Sequence, residues 1–296
     1  MPLLAIEQLL EEAYRHKYGI AMFEVDNTET IESVIKAAQD EHSPIMLGVD
    51  KLDDLSYQAL SIAKNATIPV AVQYRGKNFE TIIKAIYDGF NCISYDCSNL
   101  SYEQNVRDVQ EVMRIAKILG ISVEGKIDNN NSYFYKPCDK PIDFILRTNV
   151  NLLELGSPRE AEEIKKRTKA FISLSNASMY NDYDLEMAVA AGISKFNFSF
   201  KYACIDMKDK AMNDNHVSRC DEHNCIDTFS NECLRNNAAG EIKDRQYTIV
   251  KNIVQRVLLQ LVRENDKFSS YIDDMLNIQQ TVRHKIKVLK SKDRII

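Results

Sequence analysis

The 296-residue sequence predicts an α/β protein, a (β/α)8 TIM barrel with extra C-terminal helices. Short β-rich runs alternate with amphipathic stretches, an alternation typical of a parallel sheet. The number of runs, eight, is the number that closes such a barrel. The runs are residues 20–25, 44–49, 68–73, 92–95, 122–127, 151–155, 171–174 and 195–200.

Glycines mark the ends of three predicted helices. Gly89, Gly120 and Gly192 each stand between an amphipathic stretch and the next β-rich run. Glycine is suited to the left-handed residue that closes a helix, because it lacks a Cβ atom. These positions support the order of strand and helix that the barrel requires.

The pattern changes after the eighth run, so we divide the chain into three parts. Residues 1–205 are predicted to form the barrel, 206–240 a long polar loop, and 241–296 C-terminal helices. The apolar stripes of those helices are expected to pack on the barrel or on a second subunit. The basic end from His284 to Arg294 is expected to be a solvated helix end, with a phosphate-rich partner as the alternative.

The overall composition excludes several classes of protein. A net charge of −5 and a pI near 5.7 argue against a nucleic-acid binder, which usually carries basic excess. No apolar run reaches the length of about 18 residues that predicts a membrane span. The first residues lack the features of a secretory signal. Seven cysteines, an odd number, indicate reduced thiols in a cytoplasmic protein rather than a disulfide framework.

Several motifs resemble one enzyme family. The third run leads into Gly76-Lys77, followed by Phe79-Glu80; Asp96-Cys97-Ser98 is followed by Glu103 to Val106; and residues 192–197 lead into the eighth run. From Met1 to about Lys201 the chain resembles the class II, zinc-dependent, fructose- and tagatose-bisphosphate aldolases. The resemblance implies the barrel fold, a homo-oligomer, and cleavage of a carbon–carbon bond in a phosphorylated sugar beside zinc.

The positions that would carry this chemistry differ from the family pattern. Aligning Gly76-Lys77 with the family's Gly-Lys places Arg75 where the family has a zinc-binding His and Tyr74 where it has the catalytic Asp. By the same resemblance, Lys126 replaces an acidic residue and Arg159 replaces a His. Arginine cannot ligate zinc, because its guanidinium has only donors. The sequence therefore predicts no metal, no cofactor, and no activity as a zinc aldolase.

The new charges suggest a non-catalytic binder of a phosphorylated sugar or other anionic metabolite, or a regulatory or partner subunit. Arginine recognises phosphate well, and barrels often hold phosphate at the loops after strands seven and eight. The predicted anion-binding residues are Arg75, Arg159, Ser178, Asn197, Ser199 and Lys201. In the alternative interpretation, Arg75 or Lys126 forms salt bridges with Glu124, Asp96 or Glu154 and closes a dead pocket.

An enzyme remains the competing hypothesis, so whether the chain is catalytic stays open. An active aldehyde-lyase could use a metal-free Schiff base at Lys126, with its pKa lowered by neighbouring cations and Tyr74 moving protons. It could also use a relocated metal site. Separately, the loop cluster Cys220-x2-His223-x-Cys225, with Cys233, could bind a metal in the loop, and ordinary loop thiols are the alternative interpretation.

Overall fold

The computed structural model describes residues 6–127, 138–200 and 266–294. Eight parallel strands form a closed barrel in which each strand pairs with its neighbours in sequence, and β8 closes on β1. The predicted (β/α)8 barrel is therefore confirmed. The strands are β1 (Ile20–Glu24), β2 (Ile45–Val49), β3 (Val70–Gly76), β4 (Cys92–Tyr95), β5 (Ser122–Lys126), β6 (Leu152–Leu155), β7 (Phe171–Leu174) and β8 (Ile193–Phe198).

Helices surround the barrel, and several begin at a side chain that caps the first turn. The Asn27 and Asn78 side chains accept hydrogen bonds from backbone N–H groups of the helices that follow them. The helices are α1 (Ile6–Arg15), α2 (Thr28–Asp40), α3 (Asp54–Asn65), α4 (Phe79–Tyr87), α5 (Tyr102–Leu119), α6 (Asp139–Thr148), α7 (Ala161–Arg167), α8 (Asp182–Ala190) and α9 (Asp266–Val288).

The observed strand limits differ from the predicted runs by a few residues. The largest difference is in β3, which extends to Gly76 because Tyr74 is paired with Val49 and Gly76 with Tyr95. This extension carries Arg75 to the rim of the barrel. The glycines at 89, 120 and 192 have φ angles of 97°, 68° and 99°, so their predicted left-handed conformation is confirmed.

The barrel interior changes from apolar to polar along the strands. At the amino-terminal end, Ile20, Met46 and Leu152 form a buried cluster with the apolar face of α1, which includes Leu9 and Leu10. Towards the carboxyl ends of the strands the buried side chains are polar: Gln73, Ser94, Glu124, Glu154, Ser173, Lys195 and Asn197. The amino-terminal end is thus a hydrophobic core, and the polar groups face the end where barrel enzymes hold their active sites.

The chain divides into two compact units, Met1–Asp206 with Met275–Ile296, and Met207–Asp274. In the first unit, the end of α9 packs into the core through Val282 and Ile286, and so does Leu289, the residue after the helix. The Leu289 carbonyl accepts a hydrogen bond of 2.8 Å from the Gly19 amide. Of the second unit, the structure describes the backbone at the start of α9. The predicted loop at 206–240 and residues 241–265 lie outside the described residues.

The basic end of the chain is in part the solvated helix end that the sequence suggested, but some of its residues pack on the barrel. Lys285 is 6% exposed, and Arg283 and Lys292 form ion pairs with Asp40 and Glu41 at 2.5 and 3.1 Å. These acids lie at the end of α2, so the ion pairs dock the chain end on the barrel, while the side chains of Lys287, Lys290 and Lys292 remain 59%, 57% and 49% exposed. Within the described residues, no helix has both the length and the apolar character needed to cross a membrane.

Candidate functional site

A buried ion pair lies at the centre of the barrel. The Lys195 Nζ atom donates hydrogen bonds of 2.7 Å to Gln73 Oε1 and to Glu124 Oε2, and all three side chains are fully buried. Gln73 and Ser173 also donate to the Glu124 carboxylate. Burial raises the pKa of Glu124, but Lys195 and these hydrogen bonds lower it by more, so its pKa lies below the ordinary value. The centre of the barrel is therefore a fixed, satisfied polar network.

Arg75 lies on the carboxyl-terminal side of this network, near the end of β3. One guanidinium nitrogen contacts the Glu24 carboxylate of β1, and the other lies 3.6 Å from Glu154 Oε2 of β6. Burial lowers the pKa of Arg75, but the carboxylates of Glu154 and Glu24 raise it by more. Arg75 is thus a permanent cation held between two strands.

Lys126 occupies the end of β5 and has carboxylates as its neighbours. Its Nζ atom lies 3.0 Å from Glu154 Oε1 and 3.4 Å from Asp96 Oδ2. Burial lowers the pKa of Lys126, but Glu154 and Asp96 raise it by more, so the pKa lies above the ordinary value. The expectation that neighbouring cations lower this pKa was wrong, because the nearest charged groups are acids.

These contacts form one chain of alternating charge across the mouth of the barrel. We call Glu24, Arg75, Glu154, Lys126 and Asp96 the ion bridge. It joins β1, β3, β6, β5 and the residue after β4, and it contains three carboxylates and two cations. The three acids of the bridge outnumber its two cations, so among the described residues the bridge itself is not a basic cluster.

The ion bridge contains the salt bridges of the alternative interpretation, with two differences. Arg75 pairs with Glu154, and Lys126 pairs with both Asp96 and Glu154, as that interpretation suggested. Glu24 was missed as a partner of Arg75, although its position at the end of the first strand was the available signal. Glu124 forms its ion pair with Lys195, which sequence reasoning also missed.

Three other predicted anion-binding residues lie on the loops and strands beside the bridge. The Ser178 hydroxyl donates to the Ser199 carbonyl and accepts from the Ser199 amide, both at 3.1 Å, so the loops after β7 and β8 are tied together. The buried Asn197 amide donates to Glu154 Oε2 at 3.0 Å. These residues are brought together at the carboxyl-terminal end of the barrel.

Arg159 is exposed on the 3-10 turn Pro158–Glu160 that follows β6. It has no ion pair within the parts of the chain that the structure describes. Lys201 and the cluster around Cys220 lie outside the described residues, so their proposed roles stay predictions. Arg159 is therefore the predicted anion-binding cation whose charge is available to a ligand.

Tyr74 does not face the mouth. Strand side chains alternate between the two faces, so the residue before inward-facing Arg75 points outward to the helices. Tyr74 is 4% exposed and packs against Phe90, with ring centroids 5.8 Å apart. This placement separates it from Lys126 and gives no support to the proton-transfer role suggested for it.

Among the described residues, the donor groups at the mouth do not fit a zinc site. Zinc needs about three or four N, O or S ligands at about 2 Å. Across residues 6–127, 138–200 and 274–294, no group of three or more His, Cys, Asp or Glu side chains is arranged to hold a metal. The carboxylates of the ion bridge are instead held by Arg75 and Lys126.

A comparison with protein-family models places the chain in a known family. The model of class-II fructose-bisphosphate aldolase matches residues 5–171, which is more than half of the chain. The chain belongs to the class-II fructose-bisphosphate aldolase family. Among similar members, the protein YdjI of Escherichia coli is 29% identical over 218 residues, covering 63% of this chain and 78% of that protein.

Other similar proteins carry aldolase names. A probable fructose-bisphosphate aldolase of Bacillus subtilis is 26% identical over 67% of this chain and 81% of its own length. The sulfofructosephosphate aldolase of Alkalicoccus urumqiensis is 28% identical over 67% of this chain and 80% of its own length. The crystal structure of the YdjI aldolase from Escherichia coli has a TM-score of 0.71 at 21% identity, covering 99% of this chain and 100% of that one. At that identity the structural match shows that the class-II aldolase fold is shared.

Proposed function

We propose that this member of the class-II aldolase family is non-catalytic as a zinc aldolase and binds a phosphorylated sugar or related anionic metabolite at the barrel mouth. The ion bridge carries the proposal. Arg75 and Lys126 both contact Glu154, whose side chain is 1% exposed, at the end of the barrel where active sites of this fold lie. Arg75 and Lys126 hold the carboxylates of the bridge in ion pairs, so these carboxylates are not free to ligate a divalent ion.

The anion is expected to bind on the outer side of the bridge rather than at its buried centre, Glu154. Arg159 is exposed and has no ion pair among the described residues, and an arginine fork matches the geometry of phosphate oxygens. The loops after β7 and β8, joined through Ser178 and Ser199, form the wall where barrels of this class often hold phosphate. Relatives named for fructose bisphosphate and sulfofructose phosphate make phosphorylated ketoses the first ligands to test.

The proposal extends to the setting of the protein. A cytoplasmic homo-oligomer is consistent with the family, and a regulatory or partner subunit is the other form that a non-catalytic member takes. Neither a homo-oligomer nor a regulatory role changes the prediction that the barrel mouth binds an anion, because the ion bridge lies within one chain.

The test combines a cleavage assay with a binding assay. Purified protein is analysed for bound metal and assayed for aldol cleavage of fructose and tagatose bisphosphates, with and without added zinc. We expect no cleavage in either condition, and binding heat with a phosphorylated ketose in calorimetry. Arg159→Ala should abolish that heat, whereas Arg114→Ala, at an exposed arginine of α5, should not. Cleavage that is lost on chelation contradicts the proposal, as does a titration without heat.

A further inference from the structure

Glu24 differs from the other acids of the ion bridge in how it is held. Glu154 is 1% exposed and contacts Arg75, Lys126 and Asn197. Glu24 is 44% exposed, and within the described residues its carboxylate contacts Arg75 alone. Releasing Glu24 into water therefore breaks one ion pair and leaves no buried charge without a partner.

Asp96, at the other end of the bridge, is fixed by its own loop. It is 22% exposed, and it accepts hydrogen bonds from the Ser98 amide at 3.1 Å and the Ser98 hydroxyl at 2.5 Å. Burial raises the pKa of Asp96, but the Ser98 hydroxyl and Lys126 lower it by more. The bridge thus has one fixed end and one exchangeable end.

The exchangeable end covers the outer side of Arg75. One guanidinium nitrogen points to buried Glu154, and the other is taken by Glu24 at the rim. A carboxylate and a phosphate offer oxygens of similar geometry to a guanidinium fork. Glu24 therefore occupies the place where an anionic ligand that enters the mouth would pair with Arg75.

We propose that Glu24 is a built-in competitor that sets the affinity of the mouth for anions. The ligand's phosphate or carboxylate oxygens displace Glu24 from Arg75 and take its place, while Arg75 keeps its contact with Glu154. This inference rests on the proposed function, since it assumes an anionic ligand at the mouth. It identifies Glu24 as a residue that determines affinity. Substituting Glu24 should strengthen anion binding, whereas substituting an ordinary binding residue weakens it.

When an anion displaces Glu24, the ion pair between Glu24 and Arg75 is replaced by one between the anion and Arg75. Arg75 therefore adds little to the binding free energy of the wild-type protein. Glu24→Gln removes the charge of the competitor with little change of shape, and it also removes repulsion between Glu24 and the bound anion. We expect the Kd of Glu24→Gln for inorganic phosphate and for a phosphorylated ketose to fall by about tenfold. The gain should disappear in the double variant Glu24→Gln/Arg75→Gln.

Calorimetry on the full chain tests this, with thermal unfolding as the check that each variant is folded. Glu111→Gln is the matched control, because Glu111 is 52% exposed and pairs with Arg114 on the outer side of α5. It removes the same charge and should leave the Kd unchanged. The proposal that Glu24 competes with the anion is overturned if the Kd of Glu24→Gln is unchanged or higher, or if Glu111→Gln lowers the Kd equally.

The outcomes also separate this inference from the function on which it rests. Wild-type binding that Arg159→Ala abolishes and Glu24→Gln leaves unchanged supports the proposed function and overturns the competitor. Binding by Glu24→Gln alone supports the competitor and contradicts a binding role for the natural protein. The absence of heat with every variant overturns both.

Discussion

At the scale of single residues, the barrel places charge where its fold normally keeps apolar layers or reactive groups. Lys195 and Glu124 are buried without exposed surface, and each is satisfied by hydrogen bonds to Gln73 or Ser173. A buried ion pair whose hydrogen bonds are all made holds the interior in one arrangement. Either ion left buried without the other strongly destabilises the fold. This asymmetry makes the pair testable.

Lys195→Met leaves the Glu124 charge buried without its main partner, and we expect it to lower the free energy of unfolding by about 3–5 kcal/mol. The double variant Lys195→Met/Glu124→Leu removes both ions and should recover most of that loss. Urea unfolding of the wild type, both single variants and the double variant measures the cycle. Additive losses in the double variant would show that the two residues do not act as a pair.

Lys126 is expected to be inert as a Schiff-base nucleophile. Its pKa lies above the ordinary value, because the carboxylates of Glu154 and Asp96 outweigh the effect of burial, so the free amine is scarce at neutral pH. Borohydride treatment with dihydroxyacetone phosphate, followed by peptide mass spectrometry, should leave Lys126 unmodified. Lys126→Met serves as the blank, and a reduced adduct found at this position in the wild type alone would restore the lyase hypothesis.

At the scale of elements, the sequence predicts the strands well but the site only in part, because strands depend on local pattern and the site depends on contacts between distant residues. Alternation and helix periodicity depend on neighbouring residues, so the eight strands follow from local pattern. The ion bridge joins residues up to 130 positions apart, from Glu24 to Glu154, and its pairings depend on barrel register. Tyr74 shows the same limit, since one residue of register decides whether a side chain faces the mouth or the helices.

The end of α9 is an element whose position the sequence left open between the barrel and a second subunit. Ile286 lies in the main core with no exposed surface, so Ile286→Ala should destabilise the chain by about 2–5 kcal/mol. Ile118→Ala on α5 makes the same chemical change at a side chain that is 84% exposed, and it should shift the free energy by less than about 0.5 kcal/mol. Equal effects in chemical denaturation would show that α9 does not pack on the barrel.

At the scale of the whole molecule, two carboxylates inside the barrel and at its mouth, Glu124 and Asp96, link stability to pH. The pKa values of Glu124 and Asp96 lie below their ordinary values, because Lys195, Lys126 and hydrogen-bond donors stabilise the charged forms. The unfolded chain therefore binds protons at a higher pH than the folded chain does. Both groups contribute stability that is complete above the unfolded pKa values and is lost as pH falls through the folded ones.

We expect the free energy of unfolding to be nearly constant from pH 7 to about pH 5, and to fall below the ordinary carboxyl pKa values of 4.5 for Glu and 3.8 for Asp. Asp96→Asn should reduce the part of this slope that comes from the bridge, because an amide does not titrate. Glu111→Gln, at an exposed acid of α5, should leave the slope unchanged. Urea unfolding from pH 7 to pH 3, repeated with a chelator, measures both effects, since a metal-dependent barrel would lose stability on chelation at every pH. Chelation that lowers the midpoint at pH 7, or an acid slope that Asp96→Asn leaves intact, would show that the mouth is not held by its own ion pairs.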